Sequence, residues 1–399
     1  MLNLGNLGHL RLQDTPSRAR LALMDDPSDI LIVLSGAPLG TVGRLLLEGS
    51  AGDPRIQQVE QRALDRLERL EKPPALLLIQ GGAESPAFSN LLWTCFARWP
   101  SVQMVLFDED EGAPGGLKTF FEQGGQTVLT EAMLAPDVWP DFINVQVRNQ
   151  AQSLALAEYE VDQTQGAATQ RRMMPGASLT TPYCRLSHQT KPCLTLSGDF
   201  IDYQMIDADR VLFCLADVSG HGSSSALVTV VLQEFLRGSL AGVTPADAVE
   251  PSELIQGLNQ AICESAFDHY VTCVVGVIDG STGLLSYVSA GHFPHPMLIQ
   301  RGEISLLESS NLPLGLLNSS GYDAHQLTLV PDFRLVIVTD GVLEGLVNKT
   351  LVEREAQLLS FVEKDAGEAD GWLSRFIGDS DERLADDASV LCIAGLRSR

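Results

Sequence analysis

The chain has 399 residues, of which 45% are hydrophobic and 20% are charged; this composition suits a folded chain, and the length predicts two domains. Its 51 acidic residues outnumber 27 basic ones and give a formal net charge of -24, which argues against nucleic acid and anionic lipid as partners. The apolar runs are strand-sized and far shorter than the roughly 18 residues of a membrane span, so we expect no membrane segment.

The seven cysteines are scattered, and none forms a Cys-x-x-Cys pair. This pattern is typical of reduced, buried cysteines and argues against a disulfide framework or a zinc ribbon. The N-terminal residues show no early positive charge followed by a continuous apolar core, so we expect no secretory signal. We therefore predict a cytoplasmic protein.

Residues 1–27 are polar and glycine-rich, which predicts a mobile lead-in. In residues 28–139, apolar runs such as 30–34 and 75–79 alternate with segments of helical spacing, one of which begins at Val59. Runs that are apolar on both faces predict a parallel α/β sheet covered by helices on two sides.

The order of these elements resembles the receiver domain of two-component signalling. In that family acidic residues follow the first strand, a phosphorylatable aspartate follows the third, and a lysine follows the fifth. Here Ser35-Gly36, Gln80-Gly81-Gly82 and Thr130-Glu131 stand at those places. The resemblance therefore implies a degenerate receiver-like regulatory domain at 28–139, which binds rather than reacts.

Residues 140–172 are polar and lack strand signals, and apolar residues such as Leu154 and Tyr159 are spaced at helical turns. We interpret this segment as a helical connector and a candidate homodimer contact, although it has too few heptads for a coiled coil. Pro175-Gly176 then breaks the helix. The second domain is predicted at 173–399.

Short alternating strands dominate from Cys193 onward, and turn residues such as Asp279-Gly280 join many of them as antiparallel hairpins. Helical segments near 223–237 and 252–267 lie together between groups of strands, and another lies near 351–363. This grouping predicts an α+β domain of antiparallel sheets and helices.

Four strand ends carry an aspartate beside glycine or another carboxylate. The aspartates are Asp199 with Asp202, Asp217, Asp340, and Asp386 with Asp387. Buried carboxylates are costly unless a cation meets them, and no basic residue is nearby in sequence. Oxygen ligands without a histidine or cysteine cluster favour Mg²⁺ or Mn²⁺ over zinc. Two such ions could share one aspartate and activate a water, so the pattern predicts hydrolysis.

The sequence around these aspartates resembles the SpoIIE-like bacterial branch of the PPM (type 2C) metal-dependent serine/threonine protein phosphatases. Six motifs occur in the family's order: Gly-Asp-Phe-x-Asp at 198–202, Asp-Val-Ser-Gly-His-Gly at 217–222, Ser-Ala-Gly-His at 289–292, Leu-Pro-Leu-Gly at 312–315, Thr-Asp-Gly-Val at 339–342 and Asp-Asp-Ala-Ser at 386–389. The lead-in Gln-x-x-Leu-Leu-Pro is matched from Gln170 to Pro175, with methionines for leucines. The resemblance implies a PPM fold, an antiparallel β-sandwich flanked by helices, at 173–399.

The resemblance also implies two Mn²⁺ or Mg²⁺ ions. Their binding residues would be Asp199, Asp217, Val218, Asp340, Asp386 and Asp387. Asp217 would bridge the ions and Val218 would contribute its carbonyl. Asp199 and Asp217 would be the catalytic residues, whereas Asp387 would either bind an ion or lie behind the ligands.

The implied reaction is hydrolysis of phosphoserine or phosphothreonine on a bacterial signalling protein of the anti-sigma-factor-antagonist type, under control of the N-terminal domain. The alternative is a catalytically inactive binding module that kept the fold and sequesters a signalling partner. The full set of carboxylates argues against that alternative. His221 could act as an acid for the leaving serine oxygen, but we expect it to face solvent or stabilise its turn, and we expect His292 to fix a loop by hydrogen bonding.

Overall fold

The protein is described here by a computed structural model. It describes residues 30–34, 40–50, 56–60, 74, 76–80, 86–99, 102–107, 118, 120–122, 124–135, 138–265, 267–318, 321–346, 349–365, 368–378 and 384–396. The chain divides into two compact units, 1–161 and 162–399. The predicted lead-in at 1–27 lies outside the described residues.

The first unit contains a five-stranded parallel sheet. Its strands are β1 (Ile30–Leu34), β2 (Ile56–Glu60), β3 (Leu76–Gln80), β4 (Gln103–Phe107) and β5 (Thr127–Val128). The order β2-β1-β3-β4-β5 is the flavodoxin-like order of doubly wound sheets. Every residue of β3 and β4 is buried, as expected for strands covered on both faces. The predicted parallel sheet is confirmed, whereas the receiver assignment stays a prediction.

Helices of the first unit include α1 (Thr41–Ser50), α2 (Pro86–Arg98) and a short 3₁₀ helix, Glu131–Leu134. The helix predicted to begin at Val59 is wrong at its start, because Val59 lies in β2 opposite Val33. β2 is the edge strand of the sheet, and an edge strand tolerates the polar residues that obscured its period.

The predicted connector is part of one long helix, α3 (Trp139–Met173). Its 35 residues correspond to a length of about 52 Å. The last turns belong to the second unit, which begins at residue 162. The homodimer through this segment stays a prediction.

The second unit contains two antiparallel sheets. The first has the order β14-β11-β10-β9-β8, with β8 (Asp199–Met205), β9 (Arg210–Val218), β10 (Val271–Asp279), β11 (Leu284–Ala290) and β14 (His325–Thr328). The second has the order β13-β12-β15-β16-β7-β6, with β6 (Ser178–Thr180), β7 (Cys184–Lys191), β12 (Met297–Gln300), β13 (Glu303–Leu306), β15 (Arg334–Val338) and β16 (Ala388–Gly395).

The two sheets pack face to face as a sandwich, with side chains such as Ile201 and Leu215 meeting Leu335 and Leu391 in one core. Two helices, α4 (Ser223–Leu240) and α5 (Pro251–Glu264), cover the outer face of the first sheet. Three more cover the second sheet: α6 (Gly341–Glu344), α7 (Leu351–Lys364) and α8 (Trp372–Ile377). The predicted α+β sandwich flanked by helices is confirmed.

Two expectations about composition can be compared with this fold. In the part of the chain that the structure describes, no helix is long and apolar enough to span a membrane. All seven cysteines are free, and six of them are buried, as their scattered spacing predicts.

Candidate metal centre and active site

The strands bring the motif aspartates to one end of the sandwich. Asp199 opens β8 and lies directly opposite Asp217 of β9 in the antiparallel register. Both lie on the strand face that carries Ile201 and Leu215, which points into the sandwich. Asp340 is the second residue after β15, so it approaches the same end from the second sheet.

A threonine joins the two sheets at this end. The Thr339 hydroxyl donates to Asp199 Oδ2 at 2.9 Å and accepts from the Ser389 N–H at 2.9 Å. The Thr339 N–H donates in turn to the Ser389 carbonyl at 3.1 Å. Thr339 and Ser389 belong to the motifs at 339–342 and 386–389, and the only signal for their role in the sequence is a hydroxyl residue next to, or two residues after, a strand-end aspartate.

Asp199 is a buried carboxylate with one oxygen unused. It is 2% exposed, and its Oδ1 has no hydrogen-bond partner in the described structure. Burial raises the pKa of Asp199 well above its ordinary value, and the neighbouring Asp217 carboxylate adds to the rise. An oxygen in this state suits a cation, because leaving it buried and unpaired is costly.

Asp217 lies at the centre of the acidic cluster. Burial and, after it, the carboxylates of Asp340, Asp386 and, less strongly, Asp387 together raise its pKa to about 7. Burial and then Asp386 also raise the pKa of Asp340. The structure therefore brings these carboxylates together in a partly buried setting, and their donor chemistry fits hard divalent ions such as Mg²⁺ and Mn²⁺.

The predicted carbonyl ligand, that of Val218, lies beside a glycine. A Cβ at Gly198 would lie 3.1 Å from the Val218 oxygen, and the Val218 N–H donates to the Gly198 carbonyl at 3.3 Å. A side chain at position 198 would therefore press against the carbonyl that the resemblance assigns to a metal ion.

Asp387 uses both of its oxygens on backbone amides. The Cys193 N–H donates to Oδ1 at 2.7 Å and the Gly198 N–H donates to Oδ2 at 2.6 Å, and the residue is 3% exposed. The sequence left open whether Asp387 binds an ion or lies behind the ligands. This geometry favours the second role, in which Asp387 fixes the segment 193–198.

One trio of donor atoms offers a different site. Ligand atoms of Cys193, Asp386 and Asp387 lie within 4.8 Å of one another. Burial and the two carboxylates, that of Asp387 first, raise the pKa of the Cys193 thiol to about 12, so the sulfur stays protonated at neutral pH. Because hard ions prefer oxygen and thiolate is the metal-binding form of cysteine, we assign the candidate centre to the carboxylates around Asp217.

Glu344 is a member of this acidic region that the sequence analysis missed. It lies one helical turn after Asp340 on α6 and is exposed. Partial desolvation of its carboxyl group, followed by the charges of Asp340 and Asp386, raises its pKa. The spacing of four residues after a strand-end aspartate was the available signal, because residues so spaced share one face of a helix.

The remaining motif residues lie away from the cluster. Asp202 faces the opposite side of β8 from Asp199, and burial raises its pKa. His221 is exposed in its turn. His292 is buried and donates from Nε2 to the Val338 carbonyl at 3.0 Å, and burial lowers its pKa to about 4. It is therefore neutral at pH 7 and fixes its loop as predicted.

Comparison with known proteins bears on the second unit. Residues 207–394 match the family Stage II sporulation protein E (SpoIIE). The match lies within the second unit and spans a little under half of the chain. The chain is 33% identical over 151 residues to the phosphoserine phosphatase RsbP of Bacillus subtilis (strain 168), a match that covers 37% of each protein. The chain thus matches little more than a third of that relative's length.

Solved structures are also similar to part of the chain. The SiaA-PP2C domain of Pseudomonas aeruginosa is 18% identical with a TM-score of 0.49, over 60% of this chain and 98% of that one. The catalytic domain of the serine/threonine phosphatase PstP in complex with two manganese ions is 13% identical with a TM-score of 0.41, over 54% of this chain and 99% of that one.

Proposed function

We propose that this protein is a metal-dependent protein serine/threonine phosphatase. The observation that carries the proposal is the buried, unpartnered Oδ1 of Asp199, which lies on the strand opposite Asp217, the carboxylate on which the charges of Asp340 and Asp386 act. The matched relative RsbP is named a phosphoserine phosphatase, which supports the same reaction class.

The chain's own groups would hold a pair of Mn²⁺ or Mg²⁺ ions. Asp217 would bridge them, with the Val218 carbonyl on one side and Asp340 and Asp386 on the other. When bound, the ions would lower the pKa of a water and neutralise phosphate oxygens. Asp199 would keep that water oriented, because Thr339 already fixes one of its oxygens. The Asp217 carboxyl must lose its proton to bind.

The substrate would be a phosphorylated bacterial signalling protein of the anti-sigma-factor-antagonist type. Support comes from the ordered motifs and from the exposure of Glu344, whose charge acts on Asp217, since a phosphate carried by a protein needs an open site. We further propose regulation by the N-terminal domain, with α4 and α5 beside the metal-binding segment as the moving elements, and a cytoplasmic location.

The alternative function is an inactive binding module that sequesters a signalling partner. Such a module has no need of a buried carboxylate cluster, whose mutual repulsion costs stability without a cation. The cluster therefore favours the enzyme. Titration with Mn²⁺ by calorimetry separates the two, because the inactive module would bind no ion at millimolar concentration.

The test is hydrolysis of p-nitrophenyl phosphate and of a phosphoserine peptide by the full chain with Mn²⁺. We expect turnover that a chelator abolishes and that Asp217→Asn lowers at least about 100-fold. Asp209→Asn is the matched control, because Asp209 lies in the turn at the other end of β8 and β9. Full activity in Asp217→Asn would contradict the proposal.

A further inference from the structure

The last turn of α3 hydrogen-bonds to the segment that precedes Asp199 through one side chain, and one turn earlier Ala167 packs with Leu196 of that segment. The amide of Gln170 donates from Nε2 to the Ser197 carbonyl at 2.7 Å, and its Oε1 accepts from the Ser197 N–H at 3.1 Å. One side-chain amide thus satisfies both backbone groups of one residue. A carboxylate side chain of similar length cannot do this, because it has no N–H to donate. A hydrocarbon side chain can neither donate nor accept.

Ser197 is directly connected to the candidate metal centre. Its hydroxyl accepts from the Asp199 N–H at 3.1 Å, and the next residue, Gly198, donates to Asp387 at 2.6 Å. The segment is therefore held by Asp387 on one side and Gln170 on the other. Ser197 lies before the start of β8 at Asp199. Gln170 therefore supplies the backbone hydrogen bonds that a paired strand would otherwise supply to Ser197.

The same helix end is also attached to α4. The Gln170 Nε2 lies 3.4 Å from the Thr229 hydroxyl, and the Met173 carbonyl accepts from the side chains of Gln233 and Arg237. These contacts fix the rotation of the last turn of α3 about its axis. A rotation of that turn would have to break the paired hydrogen bonds to Ser197.

We propose that Gln170 is a positioning residue that holds Asp199 in the carboxylate cluster and makes metal binding depend on the placement of α3. This inference rests on the proposed function, because it assigns Asp199 to a metal site. It names the contact by which the connector helix reaches that site. The regulation proposed above acts instead through α4 and α5.

The experiment is calorimetric titration of the full chain with Mn²⁺. Gln170→Met removes both hydrogen bonds while keeping length and helix propensity, and we expect Mn²⁺ affinity to fall about 10-fold, the usual effect of losing a group behind the ligands. Gln170→Glu keeps the acceptor and loses the donor, so it tests the idea even if Gln170→Met does not fold. Gln165→Glu, at an exposed position of the same helix, controls for the added charge and should stay within about twofold.

Phosphatase assays at limiting and saturating Mn²⁺ add a second measurement. We expect Gln170→Met to lose activity at limiting Mn²⁺ and to regain most of it at saturation. Unchanged Mn²⁺ affinity in both Gln170 variants would overturn the inference while leaving the phosphatase intact. If the unmodified protein bound no Mn²⁺, the proposed function itself would fail.

Discussion

Asp387 provides a direct test of how this site is built. Its two oxygens accept backbone N–H groups at 2.7 and 2.6 Å while the residue is 3% exposed. Hydrogen bonds to a charged group contribute roughly 1.5–3 kcal/mol each, so Asp387→Ala removes about 3–6 kcal/mol. The substitution also removes the repulsion between the Asp387 and Asp217 carboxylates, which offsets part of this loss. We therefore expect the free energy of unfolding to decrease by about 3 kcal/mol.

The assay is urea unfolding in metal-free buffer, with Mn²⁺ titration in parallel. Asp387→Ala and Asp387→Asn should lower the free energy of unfolding, and the unfolding midpoint should shift accordingly. Asp386→Asn is the comparison variant, because Asp386 is only partly buried and is a predicted ligand; it should weaken Mn²⁺ binding with little effect on stability. If Asp387→Asn instead lost Mn²⁺ binding at unchanged stability, Asp387 would be a ligand and our assignment would be wrong.

Three further predictions concern the same end of the sandwich. Gly341→Ala should lower stability by about 3 kcal/mol in urea unfolding, because its Cβ would lie 2.1 Å from the Asp387 carbonyl oxygen, whereas Gly176→Ala meets no atom within 4 Å and should be neutral. Because the pKa of Asp217 is raised to about 7, the metal-free folded protein keeps a proton on Asp217 between about pH 4 and about pH 7 that the unfolded chain loses. The melting temperature should therefore fall as the pH rises from about 4 to about 7, and Asp217→Asn should make it less dependent on pH. His269→Ala should weaken Mn²⁺ binding about 10-fold, because His269 Nδ1 donates to the carbonyl of Ser219 at 2.7 Å and Ser219 follows Val218, the proposed carbonyl ligand. Unchanged Mn²⁺ affinity in both His269→Ala and His269→Asn would contradict this prediction.

The sequence predicts elements whose residues repeat in a strict pattern. β9 and β10 are apolar along most of their length and belong to the strands predicted from Cys193 onward, and Asp279 accepts turn hydrogen bonds from Ser281 as a hairpin residue should. β7 was missed, because its half-buried second half is polar and gives no period. The edge strand β2 was missed for a similar reason.

Some residues of the candidate site can be identified from the sequence, whereas the roles of others cannot. The aspartates could be found because a carboxylate at the end of an apolar strand is anomalous by itself. Gln170 and Thr339 could be quoted as motif members, but their roles depend on partners that are 27 and 140 residues away in sequence. No local pattern specifies such pairs, so they become visible only when the sheets and helices are packed.

The facing positions of Asp199 and Asp217 limit how this hairpin can vary. The two strands pair continuously from these residues to Met205 and Val211, and neighbouring side chains point to opposite faces. Inserting or deleting one residue within either strand would turn one acidic group outward, toward the layer of α4 and α5. Natural or engineered length changes should therefore be confined to the reverse turn between the strands.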